Sequence, residues 1–158
     1  AAEHVEAVDA SPHALEHARL NASLNNLSNL SFREADVFDL LSQYANSGRR
    51  FDTVVLDPPA FAKSRNTVAK ALAGYREINR RALEMLPPGG VLVTCSCSHH
   101  VSEAAFIETV AAAALDARRT LRVLDRRTQG LDHPILLTVP ETHYLKCLIV
   151  EASPSGLD

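Results

Sequence analysis

Three times within the first 57 residues, a short β-type stretch closes on an aspartate. Residues 4–9, His4-Val5-Glu6-Ala7-Val8-Asp9, alternate and read as a strand. Ser11 then caps a helix with Pro12 at its first position, and Ala14, Leu15, Ala18, Ala22 and Leu24 fall near one face through about Asn26. Residues 31–36 repeat the pattern and close on Asp36, before a short helix from Val37 to Tyr44 that Ala45-Asn46-Ser47-Gly48 ends. Residues 51–57 form the clearest strand, β-branched and apolar, and Pro58-Pro59 stops it after Asp57. Strands alternating with helices commit the chain to an α/β fold with a mostly parallel sheet and helices on both faces.

The second half continues the alternation. A helix is predicted from about Thr67 to Leu86, with Gly74 as a potential break, until Pro87-Pro88-Gly89-Gly90 turns the chain. From Gly90 to Cys95 or Cys97 a near-continuous apolar run suits a buried parallel strand. Ser102 caps an Ala-rich helix through about Ala117. Residues 121–124 are strand-like, 125–143 are irregular with extended pieces around 135–139, and the last strand spans 144–151. Residues 1–152 read as one domain and 153–158 as a tail, with neither a repeat nor a separating linker.

Composition narrows the function classes. At 158 residues, 46% hydrophobic and 22% charged, the chain fits one globular domain and excludes disorder, collagen and coiled coil. Sixteen Lys and Arg against nineteen Asp and Glu argue against indiscriminate polyanion binding, though a local basic patch is compatible with that balance. Three cysteines, two of them in Cys95-Ser96-Cys97, give no disulfide framework and point to a reducing compartment, the cytoplasm by default. No apolar stretch approaches the ~20 residues of a spanning helix, so no membrane association is expected.

In open parallel sheets ligands bind beyond the carboxyl ends of the strands, where Asp9, Asp36, Asp57 and Cys95 or Cys97 are predicted to lie. Asp9 suits a ribose diol and equally suits a turn that helps cap the next helix. Asp36 has the same two readings, an adenine amine or a helix cap. Asp57-Pro58-Pro59-Ala60-Phe61 is more specific, because two prolines fix a sharp turn and remove two N–H donors, leaving carbonyls to receive the polar edge of a planar base. Phe61 is available to stack on such a base or to fold back into the core. No Gly-x-Gly-x-x-Gly or Gly-x-x-x-x-Gly-Lys segment is present, which removes the usual cradles for dinucleotides and for nucleotide hydrolysis.

Thr94-Cys95-Ser96-Cys97-Ser98-His99-His100 closes the fourth strand. Cys95 and Cys147 suit core filling, while Cys97, nearer the rim, is the better candidate nucleophile. The spacing of Cys95, Cys97, His99 and His100 departs from that of zinc sites, and no metal is expected. Lys63 and Arg65 flank the proposed base pocket and are the expected nucleic-acid contacts. Arg118, Arg119, Arg122, Arg126 and Arg127 read better as solvated cations.

Taken in order, five segments resemble the S-adenosylmethionine-dependent methyltransferases with a Rossmann-like core. These are Val8-Asp9-Ala10-Ser11-Pro12, Asp36-Val37-Phe38, residues 51–61, Pro88-Gly89-Gly90 with Thr94-Cys95-Ser96-Cys97-Ser98, and Asp132-His133-Pro134 with Tyr144-Leu145-Lys146. The closest likeness is to the bacterial large-subunit ribosomal RNA cytosine-C5 methyltransferase family, and it runs nearly end to end. The resemblance implies that Asp9 and Ala10 bind the ribose hydroxyls of S-adenosylmethionine, that Asp36 and Val37 receive its adenine, and that Asp57 also lies at the cofactor. It implies a base pocket floored by Asp57, Pro58, Pro59 and Phe61, with Cys97 as the nucleophile, Asp57 as its catalytic partner on the cytosine edge, and ribosomal RNA as the partner. Family members also carry an earlier first strand, a glycine-containing loop and an N-terminal RNA-binding domain not found here, so the fold is expected to be N-terminally incomplete, with a gap in its sheet that a second copy in a homodimer would fill; without that remedy this chain alone is expected to bind cofactor weakly or not at all and to be inactive. Methylation of a base amine or ring nitrogen, and an idle RNA-binding or assembly module, are the alternative readings.

Overall fold

A computed structural model describes residues 2–62 and 64–154. They fall into two compact units, Ala1–Gln43 and Tyr44–Asp158.

The first unit holds β1 (Val5–Asp9), α1 (Pro12–Leu24), β2 (Leu30–Glu34) and most of α2 (Val37–Ser47). β1 and β2 pair in parallel, Val5 with Leu30 through Asp9 with Glu34, and α1 is the crossover that parallel pairing requires. Ser11 Oγ accepts from the Ala14 N–H at 3.2 Å, and Pro12 sits in the first turn, where an N–H would have no partner. The helix stops at Leu24 rather than Asn26 because Asn26 adopts a left-handed φ of 55°, a conformation Asn tolerates and one that closes helices. β2 stops at Glu34, short of Asp36, whose carboxylate caps the next helix. That helix outlasts Tyr44 and ends at Ser47, just before Gly48 turns with φ 70°.

The second unit contains β3 (Thr53–Leu56), α3 (Val68–Met85), β4 (Gly90–Ser96), α4 (Glu103–Asp116), β5 (Arg119–Arg127) and β6 (Lys146–Pro154). The four strands are ordered β3-β4-β6-β5. The architecture is the expected Rossmann-like α/β type, but this sheet is mixed rather than mostly parallel. β3 and β4 are parallel, as α3 between them dictates, whereas β6 runs antiparallel to both β4 and β5. No crossover helix links β5 to β6, so the two can pair only as an antiparallel ribbon.

The last two strands depart furthest from the sequence reading. β5 covers nine residues instead of 121–124, because pairing with β6 holds its charged ends extended. β6 continues to Pro154, since Ser153 and Pro154 lie opposite Thr120 and Arg119. α3 passes through Gly74 unbroken. The Pro87-Pro88-Gly89-Gly90 turn depends on Gly89, whose φ of 82° disfavours any side chain.

The core lies on one face of this sheet. Leu92, Thr94 and Ser96 alternate along β4 with no exposed surface, and Tyr75, Ile78 and Ala82 of α3 and Phe106, Val110 and Ala113 of α4 are likewise buried. Tyr75 meets Phe106 edge to face at 5.4 Å. Val55 of β3, paired with Val93, is 63% exposed. Among the described residues no helix is long and apolar enough to cross a membrane.

Candidate functional site

β4 ends at Ser96, and the chain turns through Cys97, Ser98, His99 and His100 before Ser102 caps α4 by accepting from the Ala105 N–H at 3.1 Å. Ser98 is the pivot of this turn. Fully buried, its Oγ accepts the Ala62 N–H at 3.1 Å and lies 3.0 Å from the Tyr75 hydroxyl. Its carbonyl accepts from Lys146 Nζ at 2.7 Å. The residue after Cys97 is thereby tied to the loop following β3, to α3 and to β6.

The same loop approaches the thiol directly. Cys97 Sγ donates to the Pro58 carbonyl at 3.8 Å. Neither Pro58 nor Pro59 offers an N–H, so the turn presents acceptors where a planar base or a thiol would need them. Asp57 is exposed at the end of β3, and Pro58 is half-buried. Phe61 is half-buried too, its ring 4.6 Å from that of Tyr75 and tilted by 33°, so one face of Phe61 rests on the core. Arg65 is exposed in a single 3-10 turn, Arg65–Thr67, beyond the loop. Lys63 lies outside the described residues.

Burial separates the two cysteines of the motif. Cys95 is 8% exposed and stands directly across from Cys147 in the β4–β6 ladder. Burial pushes its thiol far up, reinforced by a hydrogen bond to Cys147 and by the negative charge of Cys147, Asp57 and Cys97, so Cys95 stays protonated. Cys97 is half-buried at the strand end. The same ladder sets Lys146 opposite Ser96, beside that end. Burial pulls the Lys146 ammonium below the ordinary lysine range, opposed by negative charge at Cys97 and Glu103.

In the first unit, Asp9, Ala10 and Asp36 are exposed and Val37 is half-buried. Asp9 Oδ1 accepts from the Ser11 N–H at 2.7 Å, and Asp36 Oδ1 accepts from the Phe38 and Asp39 N–H groups at 2.8 and 3.3 Å. Each carboxylate therefore does hold a helix entrance, with one oxygen. The other oxygen of each has no hydrogen bond among the described residues, so capping leaves room for a ligand.

The arginines near β5 are largely engaged. Arg119 donates to the Leu86 carbonyl at 2.6 Å, Arg122 pairs with Glu151 at 2.8 Å and Arg127 with Asp125 at 2.6 Å. Sequence reasoning missed the parts Tyr75, Ser98 and Lys146 play. Tyr75 gave a usable signal, since a hydroxyl-bearing ring in the apolar stripe of Ala71, Ile78 and Ala82 must find a buried partner. Ser98 and Lys146 gave none beyond their residue types, because only strand pairing brings them together.

Comparison with known proteins places this geometry in context. A family model described as a methyltransferase domain matches residues 1–136. A ribosomal RNA large subunit methyltransferase I from Aeromonas salmonicida is 48% identical over 153 residues, covering 96% of this chain and 39% of that protein. The protein of the same description from Shewanella frigidimarina is 46% identical over 147 residues, covering 92% of this chain and 37% of that one. The chain thus spans less than two fifths of the length of these curated relatives. Among solved structures, one from Streptococcus mutans described as a SAM-dependent methyltransferase superposes with a TM-score of 0.80 at 19% identity, covering 95% of this chain and 39% of that one. At that identity the likeness speaks for the fold.

Proposed function

The chain belongs to the methyltransferase domain family, and from that premise we propose that it carries the catalytic part of an enzyme that methylates C5 of cytosine in large-subunit ribosomal RNA. The observation that carries this reading is the Cys97 thiol held against the Asp57-Pro58-Pro59 turn, 3.8 Å from the Pro58 carbonyl. The relatives' description as ribosomal RNA large subunit methyltransferase I supports RNA as the substrate. Three free cysteines support a reducing, cytoplasmic setting.

C5 of cytosine is a poor nucleophile, which gives a thiolate at this place a task. Cys97 Sγ bonds to C6, and the C5–C6 π electrons move onto the ring, making C5 nucleophilic. S-adenosylmethionine, when bound, would supply an electrophilic methyl group to C5, the sulfonium S–CH3 bond breaking with its electron pair returning to the departing thioether sulfur. The C5 proton then leaves to a base, its electron pair restores the C5–C6 double bond, and the Sγ–C6 bond breaks to return the thiolate. Asp57, exposed beside the turn, would hold the N3/N4 edge of the cytosine, with Pro58, Pro59 and Phe61 flooring its pocket and Arg65 and Lys63 meeting RNA phosphate. The base must be unstacked, which costs least in single-stranded or looped RNA.

The first unit fits the polar ends of the cofactor. Asp9, with Ala10 beside it, would accept from the ribose hydroxyls, and Asp36, with Val37, from the adenine amine, each through the oxygen its cap leaves open. The test is incubation with unmodified ribosomal RNA and methyl-labelled S-adenosylmethionine, with nucleoside mass spectrometry as the readout. Label in 5-methylcytidine supports the proposal. Label confined to an amine or ring nitrogen, indifferent to Cys97→Ala, would replace it with the alternative chemistry.

A further inference from the structure

We infer that Lys146 is the positioning residue for Cys97: its ammonium, tethered to the Ser98 carbonyl, holds a fixed positive charge beside the sulfur that must become anionic. This rests on the reading of Cys97 as the nucleophile.

The geometry is specified by the fold. The β4–β6 register sets Lys146 opposite Ser96, at the last rung of the ladder, and the 2.7 Å bond from Nζ to the Ser98 carbonyl directs its side chain to the turn that contains Cys97. Ser98 is itself immobilised by Ala62 and Tyr75, so the anchor is rigid. Lysine is long and costly to order, and half-burying its ammonium with a neutral carbonyl as the bonded partner is unfavourable unless a negative charge forms nearby. Negative charge at Cys97 and at Glu103, at the start of α4, would oppose the lowering of the Lys146 ammonium by burial. His99 and His100 continue the turn beyond Cys97 and are exposed, the His99 ring centroid 6.2 Å from that of Tyr144, and Asp57, Cys95 and Cys147 are further ionisable groups around it. Lys146 differs from both histidines in being half-buried and anchored to the Ser98 carbonyl, which makes it a fixed rather than a solvated charge at this turn. When Cys97 gives its proton to solvent, the electron pair stays on Sγ and the ammonium offsets it.

The test reads charge separately from methyl transfer. The chain is alkylated with neutral iodoacetamide or anionic iodoacetate, and Cys97 is followed by peptide mass spectrometry in the wild type, in Lys146→Gln and in Lys146→Arg. The Gln side chain keeps a donor for the Ser98 carbonyl while removing the charge. Iodoacetamide should label Cys97 about tenfold more slowly in K146Q at pH 7.5. The iodoacetate-to-iodoacetamide rate ratio should fall at least about threefold, and K146R should restore both within about threefold. An unchanged ratio in K146Q, or K146R behaving like K146Q, overturns the inference. If K146Q unfolds, all three cysteines become reactive together, and the wild-type ratio is read instead between low and ~1 M salt. A ratio that falls with salt supports the fixed charge, and one indifferent to salt removes it. Failure to methylate cytosine would leave this result standing, so the two readings fail separately.

Discussion

Cys97 Sγ lies 3.8 Å from the carbonyl oxygen of Pro58, a residue 39 positions earlier that belongs to a different strand end. A thiol that only filled space would need no such partner. Cys97→Ala should abolish methyl transfer by at least roughly 10³-fold while leaving thermal unfolding within a few degrees, because the side chain is half-buried and small. RNA carrying 5-fluorocytidine gives a second readout, since fluorine cannot leave C5 as a proton does. The wild type should form a covalent adduct that survives denaturing gels, and Cys97→Ala should form none. An adduct in the alanine variant would place the nucleophile elsewhere.

The loop that meets Cys97 depends on Ser98. Replacing it by alanine leaves the Ala62 N–H and the Tyr75 hydroxyl without their buried partner, at a cost of about 1–3 kcal/mol each. Tyr75→Phe removes only one end of one bond and should cost about 1 kcal/mol. Urea unfolding should therefore show a clearly larger drop for Ser98→Ala than for Tyr75→Phe. Equal drops would mean that the Ala62 bond contributes nothing.

Much of this arrangement was legible in the sequence, and the failures have a common cause. The strand ending at Asp9, the Ser11 cap, the Pro58-Pro59 stop and the rim position of Cys97 all follow from local chemistry, and each is present. Asp36 was ambiguous between cap and ligand because a carboxylate has two oxygens, and the structure commits only one. The full length of β5 was hidden, since Arg119, Arg126 and Arg127 read as solvated charge until β6 pairs with them. Lys146 reads in the sequence only as a cation near the start of the last strand, within Tyr144-Leu145-Lys146. Its meaning arises from the antiparallel register with β4, which no periodicity encodes.

Asp9 offers a way to separate capping from cofactor binding. Asn serves as well as Asp at a helix entrance, so Asp9→Asn keeps an acceptor for the Ser11 N–H at the place of Oδ1. The outer oxygen, however, is exchanged for an NH2 group that cannot accept from a ribose hydroxyl. Stability should hold within about 0.5 kcal/mol, while affinity for S-adenosylmethionine, measured by calorimetry, should fall roughly 10- to 100-fold. Unchanged affinity would confine Asp9 to its structural role.

Cys95 makes the fold sensitive to alkali. Its folded-state pKa is raised above the ordinary thiol value of 9.0, first by burial and then by Cys147. The folded state therefore keeps a proton that the unfolded chain gives up as pH passes 9, and stability declines from there upward. Below pH 9 both states hold the proton and this contribution is complete. The difference in unfolding free energy between the wild type and Cys95→Ala should be flat from pH 6 to about 8.5 and shrink at higher pH. A difference that stays constant to pH 10.5 would contradict the burial of an intact thiol.

At the acid end the sensitive group is Glu77 on α3. It accepts from Arg80 at 2.9 Å and from Arg81 at 2.6 Å, pairs three and four residues apart on one helix. The hydrogen bond from Arg80 lowers its pKa first, aided by Arg81 and by both positive charges, against a penalty from partial burial. A carboxylate whose folded pKa lies below its unfolded value contributes stability above about pH 4.5 and loses it as pH falls through the folded value. The side chain is 35% exposed, so solvent screens the pairs and limits their contribution to about 0.5–1 kcal/mol in all. Glu77→Gln should cost that amount at pH 7, and the cost should vanish as pH drops well below 4.5, where the wild-type carboxyl is neutral too. Added salt should shrink the cost at pH 7 in the same way. A cost that persisted at pH 2 would have to come from packing of the side chain, since no charge would then remain on Glu77 to pair with Arg80 or Arg81.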